Sequence, residues 1–298
     1  MSFKSGFIAL IGAPNVGKST LLNALLGQKI SIVSTRPQTT RNRILGIKHL
    51  PGGQCIFLDT PGILETRGLL PKTILQTALK TLSDVNLILL VIDPLSAEVA
   101  IPKEILIRLP RLTAPIFLVI NKIDLIDKRE LLPLIRQASS LYPFQEVLPL
   151  SALKGIGLDE LEKQILHHLP PGPPYFPEDM VTDLSERFLA GELIREKVFG
   201  LTSQEIPYGT AVTVESFKER EQSSIIDISA LIHVERESQK GILIGKKGQR
   251  LKTIGTLARK DLETLLGCRV FLELWVRVEK NWSRNPKFLK KFGIEEGS

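Results

Sequence analysis

The segment "GAPNVGKS" at residues 12–19 limits what this chain can fold into more than any other feature. It matches the pattern G-x-x-x-x-G-K-[ST], in which glycines let successive backbone N–H groups turn inward around phosphate oxygens. Such a loop needs a strand before it and a helix directly after it, so that the positive end of the helix faces the anion. "FIALIG" (7–12) predicts a buried strand, and "STLLNALLG" (19–27) predicts a helix that ends at Gly27. The sequence therefore predicts a phosphate-binding loop within an α/β fold rather than an ordinary glycine-rich turn.

Strand and helix patterns alternate along the rest of the N-terminal half. "RILGIKHLPGGQCIFLD" (43–59) predicts a hairpin around its Pro-Gly-Gly turn. Further strands are predicted at 87–92, 116–120 and 147–150, and helices at 72–83 and 128–141. We expect a three-layer α/β domain whose sheet is mostly parallel with one antiparallel edge.

A proline-rich stretch, "HHLPPGPPYFPEDMV" (167–181), then interrupts the pattern. Its prolines cannot continue a helix or occupy a central strand, so we predict a semi-rigid connector. The predicted division is a first domain at 1–170, a connector at 171–181 and a second domain at 182–298. In the second domain we expect an α+β order, α-β-β-α-α-β, from a helix at 183–200, strands at 210–217 and 224–235, two helices flanking "GKKG", and a strand at 268–278.

Composition is that of an ordinary globular protein, with 43% hydrophobic and 24% charged residues. No apolar run approaches the roughly 18–20 residues of a membrane span, and the N-terminus carries no secretory cleavage pattern. We therefore expect a cytoplasmic protein without a transmembrane segment. Cys55 and Cys268 each stand alone, which predicts small buried hydrophobic residues rather than a disulfide or a zinc site.

The net charge of +7 is unevenly distributed. Residues 173–237 hold 6 Lys+Arg and 13 Asp+Glu, whereas residues 238–298 hold 14 and 6. A solvated helix face is one explanation of the basic block, and a polyanionic partner is the other. Peripheral association with an anionic membrane surface is a weaker alternative.

Two motifs extend the phosphate site to a metal and a nucleotide-sensing segment. Lys18 is expected to reach the β- and γ-phosphates, and Ser19 to coordinate Mg²⁺. "DTPG" (59–62) places Asp59 near the metal and the Gly62 N–H near the γ-phosphate. Within "RPQTTRNR" (36–43) we favour Thr40 over Thr39 as the hydroxyl on Mg²⁺. The predicted phosphate-side contacts are Gly12, Ala13, Pro14, Asn15, Val16, Gly17, Lys18, Ser19, Thr20, Asp59, Thr60, Pro61, Gly62 and Ile63.

"NKID" (121–124) selects the base, because it follows the strand at 116–120 and so lies at a carboxyl edge where α/β proteins bind ligands. The Asp124 carboxylate can accept two hydrogen bonds from guanine, whereas adenine offers no such pair of donors. Lys122 is expected to pack along the base, and Asn121 to tie this loop to the phosphate loop. Ser151 and Ala152 follow the next strand, where the Ala152 N–H can meet the guanine oxygen. A P-loop kinase, the alternative class, has no use for "DTPG" and "NKID" together.

A second glycine loop, "GKKG" (245–248), lies in the basic block. Apolar, helix-like residues on both sides predict a tight turn between two helices, which lets a nucleic-acid backbone approach closely. An adjacent apolar groove would take unstacked bases, so single-stranded RNA is the favoured ligand. An ordinary helix-turn-helix connection is the alternative. The predicted RNA-binding residues are Ile242, Ile244, Gly245, Lys246, Lys247, Gly248, Gln249, Arg250 and Lys252.

Taken together, the chain resembles the Era family, GTPases of the TrmE/Era type that carry a C-terminal KH domain. The similarity rests on "PNVGKST", "QTTR", "DTPG", "NKID" and "SA", all at the family's positions. It implies a P-loop GTPase domain followed by a KH domain, GTP hydrolysis to GDP with Mg²⁺, and a role in small ribosomal subunit maturation. It also implies an RNA partner at the 3′ end of small-subunit ribosomal RNA.

For hydrolysis we expect contributions from Asn15, Lys18, Thr40, Asp59 and Gly62. Ile63 stands where Ras-type GTPases carry a water-orienting glutamine, and because it can neither donate nor accept a hydrogen bond, slow intrinsic turnover is predicted. Ile63 also favours the alternative of a non-catalytic RNA-binding scaffold with structural GTP. The resemblance suggests that Asn15 helps to hold K⁺, and the alternative for Asn15 is a loop-shaping role.

Overall fold

The structure, a computed structural model, describes residues 2–34, 36, 39–62, 69–82, 84–95, 107, 109, 112–221 and 223–294. The N-terminal part forms a six-stranded sheet in the order β2-β3-β1-β4-β5-β6, in which only β2 is antiparallel to its neighbour. Its strands are β1 (Lys4–Ile11), β2 (Ile44–Leu50), β3 (Gly53–Asp59), β4 (Leu87–Ile92), β5 (Ile116–Ile120) and β6 (Glu146–Pro149). Within the described residues, its helices are α1 (Lys18–Leu26), α2 (Leu69–Lys80), α3 (Lys128–Ser139) and α4 (Leu158–His168).

The sheet separates two apolar cores, because successive side chains of a strand point to opposite faces. Leu89 and Val91 of β4 pack on the side of α1 and α4, whereas Ile88 and Leu90 pack on the side of α2 and α3. Every residue of β4 and β5 is buried, as expected for central strands covered on both faces. The predicted three-layer α/β fold is confirmed.

The proline-rich connector contacts β1, β3 and then the edge strand β2 of this sheet. The Ser5 N–H donates to the Pro170 carbonyl at 3.2 Å, and the Ile47 N–H donates to the Val181 carbonyl at 2.7 Å. Gln54 binds the middle of the connector with two hydrogen bonds of 2.7 Å. Its side-chain N–H donates to the Phe176 carbonyl, and its side-chain oxygen accepts from the Tyr175 N–H. The end of the connector therefore pairs with part of the open edge of β2, which would otherwise present unpaired backbone groups.

The C-terminal part contains the predicted order α-β-β-α-α-β, in a three-stranded sheet β7-β8-β9. β7 and β8 are antiparallel, and β8 and β9 are parallel. Helices cover one face of the sheet and bury a core that includes Ile232, Leu243 and Ile254. The elements are α5 (Glu186–Leu201), β7 (Ala211–Glu219), β8 (Ile225–Val234), α6 (Glu237–Ile244), α7 (Gln249–Leu266) and β9 (Arg269–Val278).

Among the helices that the structure describes, three have bounds that differ from the sequence prediction, and two were missed. The first helix after the hairpin spans 69–80 rather than 72–83, the next spans 128–139 rather than 128–141, and α5 begins after its cap Ser185 rather than at 183. The missed helices are α4 and a C-terminal α8 (Pro286–Lys291), which packs Leu289 near the fully buried Trp282. None of the described helices is both long and apolar enough to cross a membrane.

Candidate nucleotide and nucleic-acid sites

The phosphate loop runs from the end of β1 into the start of α1, and its glycines are required by geometry. Gly12 and Gly17 have φ values of 151° and 98°. A Cβ atom would lie 2.3 Å from the Val91 carbonyl oxygen at Gly12 and 2.2 Å from the Asn121 amide at Gly17. No side chain caps the first turn of α1. The N–H groups of that turn are therefore available to an anion.

Lys18 is buried at the base of this loop and donates to the carbonyls of Ala13, at 2.9 Å, and Gly12, at 3.2 Å. Burial lowers its pKa from 10.5 to about 8, against the opposing attraction of Asp59. A phosphate placed beside a buried ammonium that donates only to carbonyls would strongly stabilise its charged form.

Hydroxyl groups and one carboxylate converge next to Lys18. The Ser19 hydroxyl donates to Asp59 Oδ2 at 2.6 Å and lies 3.0 Å from the Thr40 hydroxyl. Ser31, which the sequence analysis missed, donates to the same carboxylate oxygen at 2.9 Å. Thr39 instead donates to the Arg36 carbonyl at 2.7 Å, so of the two threonines only Thr40 faces this cluster.

The cluster suits a hard cation. Asp59 is fully buried, its Oδ1 has no hydrogen-bond partner among the described residues, and burial raises its pKa. Mg²⁺ prefers oxygen ligands, and it usually takes a few from the protein and the rest from phosphates and water. Two hydroxyls and a carboxylate with one unbonded oxygen fit this preference. In the described part of the chain no cluster of His, Cys, Asp and Glu is large enough to form a separate all-protein metal site.

The remaining residues of "DTPG" have different neighbours. The Thr60 hydroxyl donates to the Leu10 carbonyl at 2.7 Å, so it joins β3 to β1 rather than facing the cleft. Gly62 lies against the phosphate loop, where an added Cβ would be 2.7 Å from Pro14 Cα. Ile63, for which the sequence predicts a nucleotide contact, lies outside the described residues.

The "NKID" segment is bound to the phosphate loop from the base side. Asn121 donates to the Val16 carbonyl at 2.9 Å, and the Ala152 N–H donates to Asn121 Oδ1 at 3.0 Å. The Ala152 N–H, which we expected to meet guanine, thus bonds Asn121 in this structure. Lys122 donates to the Asn15 carbonyl at 2.7 Å and to Asp93, a partner that the sequence analysis missed, at 2.6 Å. Asp124 is exposed and reachable by a base.

Many of these groups line one cleft of 760 Å³, a size typical of nucleotide and cofactor sites, whereas Asp59 and Ala152 are not among its lining residues. Lys18, Ser19 and Thr40 lie on its phosphate side, and Asn121 and Asp124 on its base side. The exposed side chains of Leu125 and Leu153 add apolar surface to the base side. The outer wall comes from the C-terminal sheet domain, a contribution that the sequence analysis did not predict. The wall residues are Glu196, Lys197, Gly200, Leu201 and Leu257.

The second glycine loop forms a tight turn between α6 and α7. Gly245, Lys247 and Gly248 have φ values of 70°, 52° and 78°. Lys246, Lys247 and Gln249 are exposed, whereas the Arg250 guanidinium donates to the Ile242 carbonyl at 2.6 Å and so caps the end of α6. The turn thus presents its lysines outward on a rigid backbone.

A groove of 490 Å³ lies between α7 and the edge strand β9. Gly248 and Lys252, both predicted, line it, but Ile242 and Ile244 do not. A strand edge offers N–H and C=O groups that can pair with base edges. The lining residues that the sequence analysis did not place there are Leu251, Gly255, Thr256, Arg259, Leu272 and Leu274.

The segment that carries Thr40 is also bonded to the C-terminal domain. Arg41 is buried and donates to the carbonyls of Thr210, at 2.7 Å, and Tyr208, at 2.9 Å. Arg195 of α5 donates to the Thr39 carbonyl at 2.6 Å. Both guanidinium groups lie near the ring of Phe199, at 5.9 and 5.2 Å from its centroid. The sequence analysis quoted Arg41 only as part of the "QTTR" motif and did not predict the contact of either arginine between the domains.

Comparison with known proteins gives the same two-part organisation. A family model described as 50S ribosome-binding GTPase matches residues 7–122, and a KH domain model matches residues 205–283. GTPase Era of Geotalea uraniireducens is 53% identical over 293 residues, and the match covers 98% of each chain. GTPase Era of Carboxydothermus hydrogenoformans is 46% identical over 296 residues, covering 99% of each.

Two solved structures match along nearly the whole chain. A point variant of Aquifex aeolicus Era bound to GDP and AlF₄⁻ has a TM-score of 0.93 at 46% identity, covering 98% of this chain and 100% of that one. Era in complex with MgGDPNP and nucleotides 1506–1542 of 16S ribosomal RNA also has a TM-score of 0.93 at 46% identity, covering 98% and 99%.

Proposed function

The chain belongs to the Era family of GTPases, and from this premise we propose that it is a slow GTP-hydrolysing switch that binds the 3′ end of small-subunit ribosomal RNA during subunit assembly. Family membership makes it a GTPase with Mg²⁺ as cofactor and a KH domain as its RNA-binding unit. The non-catalytic scaffold is therefore set aside. The boundaries at 1–170, 171–181 and 182–298 are part of the proposal.

One observation supports the switch most directly: a single helix, α7, contributes to both clefts. Leu257 of α7 lines the nucleotide cleft, while Lys252 and Arg259 of the same helix line the groove beside β9. A rigid helix shared by two sites is a physical route by which occupancy of one can bias the other.

Each side chain of the nucleotide cleft has a distinct proposed role. Lys18 offsets charge on the β- and γ-phosphates, and Ser19, Thr40 and Asp59 hold Mg²⁺, which neutralises the charge that develops on the phosphate oxygens. Asp124 accepts hydrogen bonds from guanine. The Gly62 N–H senses the γ-phosphate, and its contact with Pro14 brings it close to the phosphate loop.

Asn15 is proposed to help to hold K⁺ beside the phosphates. It adopts a φ of 65°, and Lys122 binds its carbonyl, so its backbone is fixed at the mouth of the cleft. We expect turnover to be faster in K⁺ than in Na⁺ and this difference to disappear in Asn15→Ala. Equal wild-type rates in the two salts would contradict the K⁺ role.

The RNA part of the proposal has a direct test. Multiple-turnover release of phosphate from GTP is measured with and without a short RNA from the 3′ end of the small-subunit ribosomal RNA, and RNA affinity is measured with GDP and with a non-hydrolysable GTP analogue. We expect the RNA to bind more tightly with the analogue. A scrambled RNA of equal length is the control, and equal affinity for both RNAs would exclude sequence-selective recognition.

Peripheral membrane association is proposed separately, on the basis of the basic block at 238–298. Co-sedimentation with vesicles of anionic and of neutral lipid tests it. Binding to neither would remove this proposal and leave the RNA-binding one intact.

A further inference from the structure

The KH unit supplies the outer wall of the nucleotide cleft, and salt bridges join this wall to the first domain. Glu196, Lys197, Gly200 and Leu201 of α5 and Leu257 of α7 line the cleft opposite the phosphate loop. A nucleotide in the cleft would be enclosed between two units that are separate in the chain. The strength of their attachment at this point therefore bears on how readily a ligand leaves.

Four charged side chains join the two units beside this wall. Lys29, in the loop after α1, lies 2.8 Å from Glu196 and 2.9 Å from Asp261 of α7. Asp261 in turn lies 2.5 Å from Lys197. We call these four residues, Lys29, Glu196, Lys197 and Asp261, the Lys29 cluster.

The cluster is built as a network rather than as an isolated surface pair. Its side chains are 13–37% exposed, so water screens them only in part. Partial burial opposes the charge of Lys29, but the hydrogen bonds that it donates to Glu196 and Asp261 raise its pKa. Partial burial likewise opposes the charge of Asp261, but the bonds that it accepts from Lys197 and Lys29 lower its pKa. Partly buried networks of this kind contribute more than single exposed pairs, which are often worth almost nothing.

We propose that the Lys29 cluster acts as a latch on nucleotide release: it holds the α5–α7 wall against the cleft, and guanine nucleotide dissociates when the cluster opens. The inference rests on the proposed function in one respect, that the cleft binds guanine nucleotide. Lys29 and Asp261 themselves do not line the cleft. An effect of replacing them on the release rate must therefore act through the wall rather than through a lost nucleotide contact.

The test measures dissociation of a fluorescent GDP analogue from the full chain after addition of excess unlabelled GDP. Lys29→Met and Asp261→Asn are each expected to speed release about fivefold, the effect of losing one partly buried ion-pair coupling. The double variant should be no faster than the faster single variant, because both break the same network. In the wild type release should quicken as salt is raised, and in Lys29→Met this dependence should be weaker.

Lys48→Met is the matched control. Lys48 pairs with Glu162 at 2.5 Å, with side-chain exposures of 25% and 17%, but both residues belong to the first domain. Its release rate should equal that of the wild type. The latch would be overturned if Lys29→Met released the nucleotide as slowly as the wild type. It would also be overturned if Lys48→Met released the nucleotide as fast as Lys29→Met.

Three further measurements separate failure of the latch from other failures. Thermal unfolding of each variant with bound GDP identifies a loss of fold, and Asp261→Asn, which preserves the side-chain shape, provides the test if Lys29→Met unfolds. RNA binding and GTP turnover of the wild type test the proposed function independently of the release rate.

Discussion

At the scale of single residues, we expect the choice of base to depend on Asp124. Its exposed carboxylate lines the cleft, as do the exposed apolar side chains of Leu125 and Leu153. Asp124→Asn removes the charge and turns an amide donor towards the guanine donors. Since each hydrogen bond to a charged group contributes about 1.5–3 kcal/mol, we expect GTP affinity to fall about a hundredfold or more.

Calorimetric titration with GTP, ATP and XTP checks this expectation. Binding of XTP should improve in the variant, because the xanthine 2-oxo group can accept from the new amide. Asp127→Asn is the control, since Asp127 caps α3 through the Arg129 N–H and Asn is an equally good cap. ATP binding as tight as GTP binding in the wild type would refute the role of Asp124.

The lowered pKa of Lys18 links both folding and GTP binding to the binding of a proton. Its pKa of about 8, against 10.5 in the unfolded chain, means that the unfolded state binds more protons between these values. The contribution of Lys18 to the stability of the nucleotide-free protein therefore rises with pH across that window. A triphosphate beside the ammonium should restore its charge, so GTP binding at pH 8.5 should take up about three quarters of a proton.

Calorimetry in two buffers of different ionisation enthalpy measures this uptake. At pH 7.5 the uptake by Lys18 should fall to about one quarter of a proton, because most of the ammonium is already charged. Equal uptake at both pH values would show that Lys18 does not titrate as its burial implies.

At the scale of secondary-structure elements, local patterns predicted the sheet well and the side-chain partners poorly. β4 and β5 coincide with the predicted runs at 87–92 and 116–120, because a fully buried strand must be continuously apolar. Helix α4 was missed although Leu161 and Ile165 have helical spacing and Asp159 and Glu160 lie in its first turn. Helix α8 has only six residues, too few for a periodic signal.

The missed site residues have a different cause. Ser31 meets Asp59 across 28 positions, and Arg41 meets Thr210 across 169, and no local pattern encodes such contacts. The motif residues were predictable because backbone geometry and phosphate chemistry constrain their types within a few positions. The groove beside β9 was only half predicted, because its second side is formed by a strand that follows later in the chain.

The shape of that groove depends on Gly255. A Cβ atom at this position would lie 3.4 Å from Leu274 Cδ1, an ordinary contact, so Gly255→Ala should fold. Alanine in a helix interior stabilises by about 0.5–1 kcal/mol relative to glycine. The added methyl group enters the groove, so we expect RNA affinity to fall about tenfold while GTP affinity stays unchanged.

Fluorescence anisotropy with labelled RNA and thermal unfolding measure the two effects. Gly241→Ala is the matched control, because Gly241 lies in α6 with nothing within 4 Å of an added Cβ. It should gain stability without losing RNA affinity. Unchanged RNA affinity in Gly255→Ala would mean that the bases do not use this groove.

At the scale of the whole molecule, the two domains are connected by more than the chain between them. The connector lies along the first sheet through bonds from Ser5, Ile47 and Gln54, so it is fixed to the first domain. The segment that carries Thr40, in contrast, is bonded to the KH unit through Arg41 and Arg195. A change at the γ-phosphate thus has a shorter route to the KH unit through Arg41 than through the prolines.

Arg41→Lys tests this route. A lysine keeps the charge but cannot match the planar fork of donors that reaches Thr210 and Tyr208, and it forfeits stacking near Phe199 and Trp282. We expect GTP to bind with nearly wild-type affinity, while RNA affinity becomes the same with GDP as with a GTP analogue. Arg43→Lys, at an exposed position of the same segment, is the control and should retain the wild-type difference. If Arg41→Lys also retains the full nucleotide dependence, the route through Arg41 is refuted, and the signal must pass through contacts that the variant keeps, such as the Arg195 bond to the Thr39 carbonyl, the Lys29 cluster or α7.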